Sequence, residues 1–470
     1  LKQECFWGKV TLDNLKDSFF KSLLVAFSLL FFSSTLLADT LKLALENAYN
    51  NSDELLIQRM SIRESDEAVA QSVAAKRPTF SAIQNLSSAY AYSGTCGGFC
   101  SSSSASASLS AKMSVLDGDR KDLGIRIANT SLYAERVALI ETEQDVLLSA
   151  VTAFMNMRRS LEFVALERNS VKLLKREVQA ARDRFEVGEI TRTDISFAES
   201  RLEAAKGKLA NQIGNLEISI ESYKMAIGVA PGELKNPPPL PDLPKTLEIA
   251  KVSASRHHPT VLALQHAVEI ADLQLDLTKF NYRPAFSLSG ELSDSSKTGK
   301  ISSNLSLVGS VVLYQGGARS SKERKALATV EKARINLLYQ TRRIQQGVAT
   351  RWAQLNIAKA LISANKRQIR AAETAYKGVT DEAEFGLRTT LDILDAEQSL
   401  MAAKVQLAST RRDEYVAAYE LLKSIGLLTV KNLNLDVKEY DVQANYKKVK
   451  DAPSSSRFLK LDNLLRKLGK

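Results

Sequence analysis

Residues 184–206, RFEVGEITRTDISFAESRLEAAK, and residues 382–404, EAEFGLRTTLDILDAEQSLMAAK, align without a gap at an offset of 198 (386 − 188). Gly188 falls on Gly386, Thr191 on Thr389, Asp194 on Asp392, Glu199 on Glu397 and Leu202 on Leu400. Further on, the same offset brings Gly228 onto Gly426. A second match opens each half: Thr40-Leu41-Lys42-Leu43-Ala44 on Thr246-Leu247-Glu248-Ile249-Ala250, and Arg77-Pro78 on Arg283-Pro284, at an offset of 206. A chain written twice builds one supersecondary unit twice. The first repeat is assigned to 39–235 and the second to 246–430, joined by a stiff, extended linker over 236–245 that contains Pro237-Pro238-Pro239. The remaining segment is 431–470.

Proline placement marks out long helices. None occurs between Pro78 and Pro231, nor between Pro284 and Pro453, so the strongest helix breaker is missing from both stretches. In the first, a heptad series runs Ala150, Met157, Val164, Val171, Val178, Phe185. In the second it returns as Val348, Leu355, Ile362, Ile369, Tyr376, Ala383. Sustained seven-residue spacing predicts paired helices with a coiled-coil seam, over about 120–228 and 318–427. A helix of ~65 residues is ~100 Å long, more than an ordinary globular domain needs.

Each half also carries a pair of strand-like stretches, at about 79–116 and 285–315. From Ala105 to Val115 the odd positions read Ala, Ala, Leu, Ala, Met, Val and the even ones Ser, Ser, Ser, Lys, Ser. Leu305, Leu307, Gly309, Val311 and Leu313 continue the pattern in the second copy. Alternation over about ten residues is the length of a tilted membrane-spanning strand. An isolated hairpin is barely stable in water, so hairpins set between such helices point to one subunit's share of a larger barrel.

The N-terminus reads as an export signal over 1–38. Lys16 and Lys21 precede the apolar run Leu23–Phe32, and Leu36-Leu37-Ala38 leads to Asp39. That run is short of the ~20 residues a spanning helix needs, and no later stretch supplies them. Any membrane crossing is therefore expected to use a β-barrel. In an oxidising compartment Cys96 and Cys100, within Cys-Gly-Gly-Phe-Cys, are candidates for a disulfide. The net charge of +11 is scattered among acidic neighbours, which argues against nucleic acid. With three histidines, no metal spacing and no nucleophile constellation, neither an enzyme nor a cofactor or metal site is expected.

Val187-Gly188-Glu189-Ile190-Thr191-Arg192-Thr193-Asp194 and Gly386-Leu387-Arg388-Thr389-Thr390-Leu391-Asp392-Ile393-Leu394-Asp395-Ala396-Glu397 resemble the helix-turn signatures of the TolC family of outer-membrane export channels. Leu313-Tyr314-Gln315-Gly316-Gly317 resembles that family's strand-to-helix turn. The resemblance covers essentially the whole chain after the signal and implies a mainly α fold with a small β part. A long coiled-coil helical barrel would continue into a membrane β-barrel shared by a homotrimer, four strands per subunit. It implies an outer-membrane exit duct, with its helical part in the periplasm, for a tripartite efflux pump or type I secretion system. The implied partners are outer-membrane lipid, a periplasmic adaptor and an inner-membrane pump of the ABC or RND type.

By the same resemblance, Val187, Gly188, Thr191, Gly386 and Thr389 would meet the adaptor at the helical tips. Arg388 would hold the entrance closed through Thr193 and Asp194 of a neighbouring helix pair, with Asp392 and Asp395 ringing the constriction. Ala383 stands where the family's familiar pattern has a tyrosine. Turn and cap chemistry alone also explains glycine, threonine and aspartate at these tips. Residues 431–470 resemble an equatorial segment followed by a flexible tail. The competing reading is a periplasmic coiled-coil adaptor or stalk without a pore, which would have no use for two pairs of amphipathic strands.

Overall fold

The computed structural model describes residues 39–93, 98–296 and 300–452. The expected signal segment, Cys96 and the tail beyond residue 452 lie outside them. Cys100 is disulfide-bonded.

The first half runs α1 (Leu41–Asn51), α2 (Asp53–Ala74), β1 (Thr79–Ser93), β2 (Gly98–Leu116), α3 (Arg120–Glu186) and α4 (Arg192–Ile227). The second half repeats it as α5 (Leu247–His257), α6 (Pro259–Phe280), β3 (Ala285–Ser295), β4 (Lys300–Ser310), α7 (Ala318–Glu384) and α8 (Thr390–Ser424), before a short α9 (Ala444–Val449). Local chemistry sets the breaks. Thr40 and Thr246 cap α1 and α5 through their hydroxyls, and Ser52 caps α2. Pro259 opens α6, where its missing N–H costs nothing.

Helices α3 and α7 each have 67 residues, or about 100 Å of helix. Each is flanked by two shorter helices, α3 by α2 and α4, and α7 by α6 and α8. Next to the sheet the helices follow one another as α2, α3, α6, α7, which matches the strand order β1-β2-β3-β4. At the other end two coiled-coil hairpins, α3/α4 and α7/α8, meet where α8 packs on α3 and α4.

The main core lies at the waist, where Leu41, Leu45 and Ile62 meet Leu147, Phe154, Tyr223, Leu421 and Ile425. Asp39 is clamped there. Its carboxylate accepts from the Tyr223 hydroxyl at 3.1 Å and the Gly232 amide at 2.8 Å. Residues 433–446 pack across the same waist through Leu433, Leu435, Val437, Tyr440 and Tyr446. The Arg59 guanidinium sits near the Tyr49 and Tyr440 rings, and Arg136 near the Tyr133 and Tyr446 rings. A smaller core of Val171, Leu174, Val178 and Ala181 against Ala198, Leu202 and Ala205 zips the lower part of α3/α4.

The first heptad series is buried from Ala150 to Val178, but Phe185 at its end is 42% exposed. The second is patchier: Val348, Leu355 and Ala383 are buried, and Asn365 interrupts the seam by donating to Thr410 Oγ1 at 2.9 Å. Whereas α3 is buried along most of its length, α7 buries only Val330, Val348, Leu355, Ala358, Asn365 and Ala383. Ile335, Leu338 and Tyr339 of α7 are each 60% exposed or more.

Two expectations for the strands change. Val311 and Leu313 lie beyond β4, because β3 begins at Ala285, opposite Ser310, and no strand among the described residues pairs with those that follow. Val115 is displaced by a bulge between Ser114 and Leu116, so Leu116 and not Val115 stands opposite Phe286. A bulge at a sheet's rim re-aims a side chain in this way.

Candidate functional site: an amphipathic sheet and two helical tips

Strand register sorts the sheet into two chemically opposite faces. On one face Ser81 pairs with Ser110, Ser87 with Ser104, Ser289 with Ser306 and Ser293 with Ser302, each with its hydroxyl oxygens 2.7 Å apart. Asn85, Ser106, Glu291 and Asn304 share that face by register. On the other, Leu86 stands opposite Ala105, Leu109 opposite Leu292, Met113 opposite Leu288, and Leu305 and Leu307 opposite Gly290 and Leu288. Gly309 leaves room for the Phe286 ring, since a Cβ there would come within 2.7 Å of it. The apolar face is bare: Leu86, Ile301 and Leu305 are each 77–78% exposed. Tyr92 and Phe99 meet edge-on at the hairpin end. A sheet with one serine face and one uncovered apolar face suits a wall between water and lipid. The outer edges of β1 and β4 have no partner strand among the described residues.

Each helical tip, at the far end, is built by a glycine and a cap. Gly188 and Gly386 take φ values of 82° and 73°, which side chains adopt only at a cost. Backbone bonds close the turns, Gly188 N to Phe185 O at 2.9 Å and Gly386 N to Ala383 O at 3.1 Å. Thr191 and Thr389 are the N-caps of α4 and α8. Asp194 and Asp392 reach back to them, each accepting from the threonine amide at 2.9 Å. Those bonds hold both carboxyls below the usual range. The threonine hydroxyl is the larger cause at Asp194, and the threonine amide at Asp392.

The structure separates the residues expected to form a gate. Arg388 donates to Glu382 of its own hairpin at 2.7 Å, and within the chain it meets neither Thr193 nor Asp194. Thr193 is exposed, and Asp194 is engaged with Thr191. Asp395 accepts from Arg201 of α4 at 2.9 Å, and Arg201 also reaches Gln398. Arg201 escaped sequence reasoning because its counterpart in the second copy is Ser399, so the repeat gave it no signal. The paired Glu199 and Glu397 differ in kind. Glu199 sits in an open pair with Arg182, and Glu397 is 8% exposed with the Ser170 hydroxyl on it at 2.8 Å. At the tips Val187, Phe385 and Leu387 are 72%, 80% and 74% exposed.

The model of the outer membrane efflux protein family matches residues 44–229 and 252–427, both repeats nearly end to end. The chain belongs to that family. The outer membrane efflux protein BepC of Brucella suis is 30% identical over 427 residues, 88% of this chain and 91% of BepC. Outer membrane protein TolC of Escherichia coli is 23% identical over 441 residues, 87% of each chain. The crystal structure of the CmeC outer membrane channel of Campylobacter jejuni superposes with a TM-score of 0.69 over 89% of each chain, at 13% identity, a likeness of fold. As an outer membrane efflux protein the chain resides in the outer membrane. The TolC resemblance read from the tip motifs is confirmed.

Proposed function

We propose that three copies of this chain form the exit duct of a tripartite efflux pump, conducting small molecules from a periplasmic adaptor and an inner-membrane pump to the outside. The observation that carries this reading is the four-stranded sheet with opposite faces and two unpartnered edges. Joining β4 of one copy to β1 of the next closes a barrel and removes every edge. The exposed apolar stripe of α7 supports the same assembly, since it offers the neighbouring copy a surface to bury. The match to BepC favours efflux, while whole-protein secretion would use the same duct.

At the tips, Val187, Gly188, Thr191, Gly386 and Thr389, together with exposed Phe385 and Leu387, form the surface for the adaptor. In the assembled duct Arg388 leaves Glu382 for Thr193 and Asp194 of a neighbouring pair, and Asp392 and Asp395 line the entrance. The decisive test is reconstitution. The purified chain is expected to run as a detergent-soluble trimer and to produce discrete ion-conducting steps in planar bilayers. A water-soluble monomer without conductance would overturn the duct.

A further inference from the structure

Below the waist, the α3/α4 hairpin is zipped by apolar side chains, among them Val171, Leu174 and Val178. The contact between the hairpins is different in kind. Leu394 of α8 enters the α3/α4 core, but around it the contact is polar. Arg201 of α4 bridges to Asp395 and Gln398 of α8 on its exposed edge. Beneath, Ser170 of α3 holds the buried carboxylate of Glu397 of α8. A cavity of about 390 Å³ opens here, lined by Glu167, Ser170, Lys208, Glu397 and Met401 among others. If the tips are to part, the hairpins separate most readily along this polar contact.

We propose that this contact between α8 and the α3/α4 hairpin is a proton-operated latch on the entrance, holding while its buried carboxyls are protonated and loosening as they ionise. The inference rests on the duct reading above. Three carboxyl groups line the contact at different heights: Glu167 and Glu177, ten residues apart on α3, and Glu397 of α8 between them, with Glu167 and Glu397 buried and Glu177 half-buried. Facing them are Arg184 of α3, Lys208 and Arg201 of α4, Tyr376 of α7 and Asp395 of α8. Arg201 is already committed to Asp395, so Lys208 and Arg184 are left to offset buried Glu167 and Glu397 and half-buried Glu177.

Burial raises the Glu167 and Glu177 carboxyls above the usual range, and the charge of Glu397 adds to it. Lys208 and Arg184 respectively pull the other way. Packing that raises a carboxyl's pKa is favoured when that carboxyl is protonated, so the latched form gains at low pH. The gain is complete below the unlatched pKa and is lost as pH rises through the elevated one. One unit of elevation in one carboxyl corresponds to about a tenfold change in the ratio of open to latched forms. Asp392 at the tip does not confuse the readout, because the Thr389 bonds place its titration below the usual carboxylate range.

The test is the open fraction of the full-length trimer in planar bilayers between about pH 5 and about pH 8. In wild type it should rise with pH, about tenfold for each unit by which the latched pKa exceeds the unlatched one. Glu167→Gln with Glu177→Gln should stay latched throughout and flatten the profile. Glu397→Gln should move the rise to lower pH by removing a like charge. Arg201→Gln should raise the open fraction at every pH, since it removes the bridge to Asp395 and Gln398. A conducting wild type with a flat profile overturns the latch and leaves the duct standing, and this result needs no variant to fold. An unchanged profile in a double glutamine variant that runs as a trimer overturns it as well. A wild type that forms no conducting pore removes the duct and the latch together.

Discussion

At the two tips a single backbone angle decides what each residue can be. Gly386 sits at a φ of 73° with open space where a Cβ would stand, so the objection to a side chain there is conformational and not steric. Gly386→Ala should therefore cost about 1–2 kcal/mol. Gly378, also with open space but inside α7, should gain up to about 1 kcal/mol on replacement by alanine. Thermal unfolding of the two variants against wild type should show shifts of opposite sign. The same tips show how far pattern reading reaches. Glycine, threonine and aspartate at matched spacing were enough to place both turns, because caps and turns are local chemistry. The company kept by Arg388, Asp395 and Glu397 was not legible, since each partner lies on a different turn or helix: Glu382, Arg201 and Ser170. The repeat even misled at Glu397 by pairing it with Glu199, which stays in solvent.

Among the elements, α3 and α7 began as copies and now have different burial. The heptads of α3 are covered by the chain's own helices, so Phe154→Ala should cost about 3–5 kcal/mol and lower thermal stability whatever the oligomeric state. Leu338 of α7 is 60% exposed, and its replacement by alanine should weaken trimers while leaving the helix content of each chain unchanged. Detergent electrophoresis alongside circular dichroism separates the two outcomes. The heptads located both helices, but they could not tell a seam within the chain from a seam between chains, because both demand apolar residues every seventh position. In the sheet, alternation gave the two faces from residues alone, and only the register showed that a bulge removes Val115 from its series. Leu305→Lys on the apolar face should cost about 2–4 kcal/mol of membrane insertion. Ser306→Lys, one residue along and on the serine face, should insert normally and shift ion selectivity toward anions, as read from the reversal potential in a salt gradient.

For the molecule as a whole, the proposed gate is a property of the assembly and not of the chain. In the single chain Arg388 is satisfied by Glu382, and a surface ion pair of that sort contributes little by itself. Three copies acting together on one entrance can still bias it. Arg388→Ser is expected to raise single-channel conductance without changing trimer stability. Equal conductance would show that the tips are held by other contacts, with the Arg201–Asp395 pair the next to examine.

The two 67-residue helices also make the molecule a gauge. Their length is set by counting residues, so the distance from the lipid-facing sheet to the tips is written into the chain and cannot relax. Removing one heptad from α3 alone would throw Val171, Val178 and their partners on α4 out of step. Removing matched heptads from α3, α4, α7 and α8 would keep every seam in register and shorten the span by about 10 Å. Such a variant should still assemble and conduct in a bilayer. In a cell, if the proposed adaptor and pump are anchored to the opposite membrane, it should fall short and export nothing until they are lengthened to match.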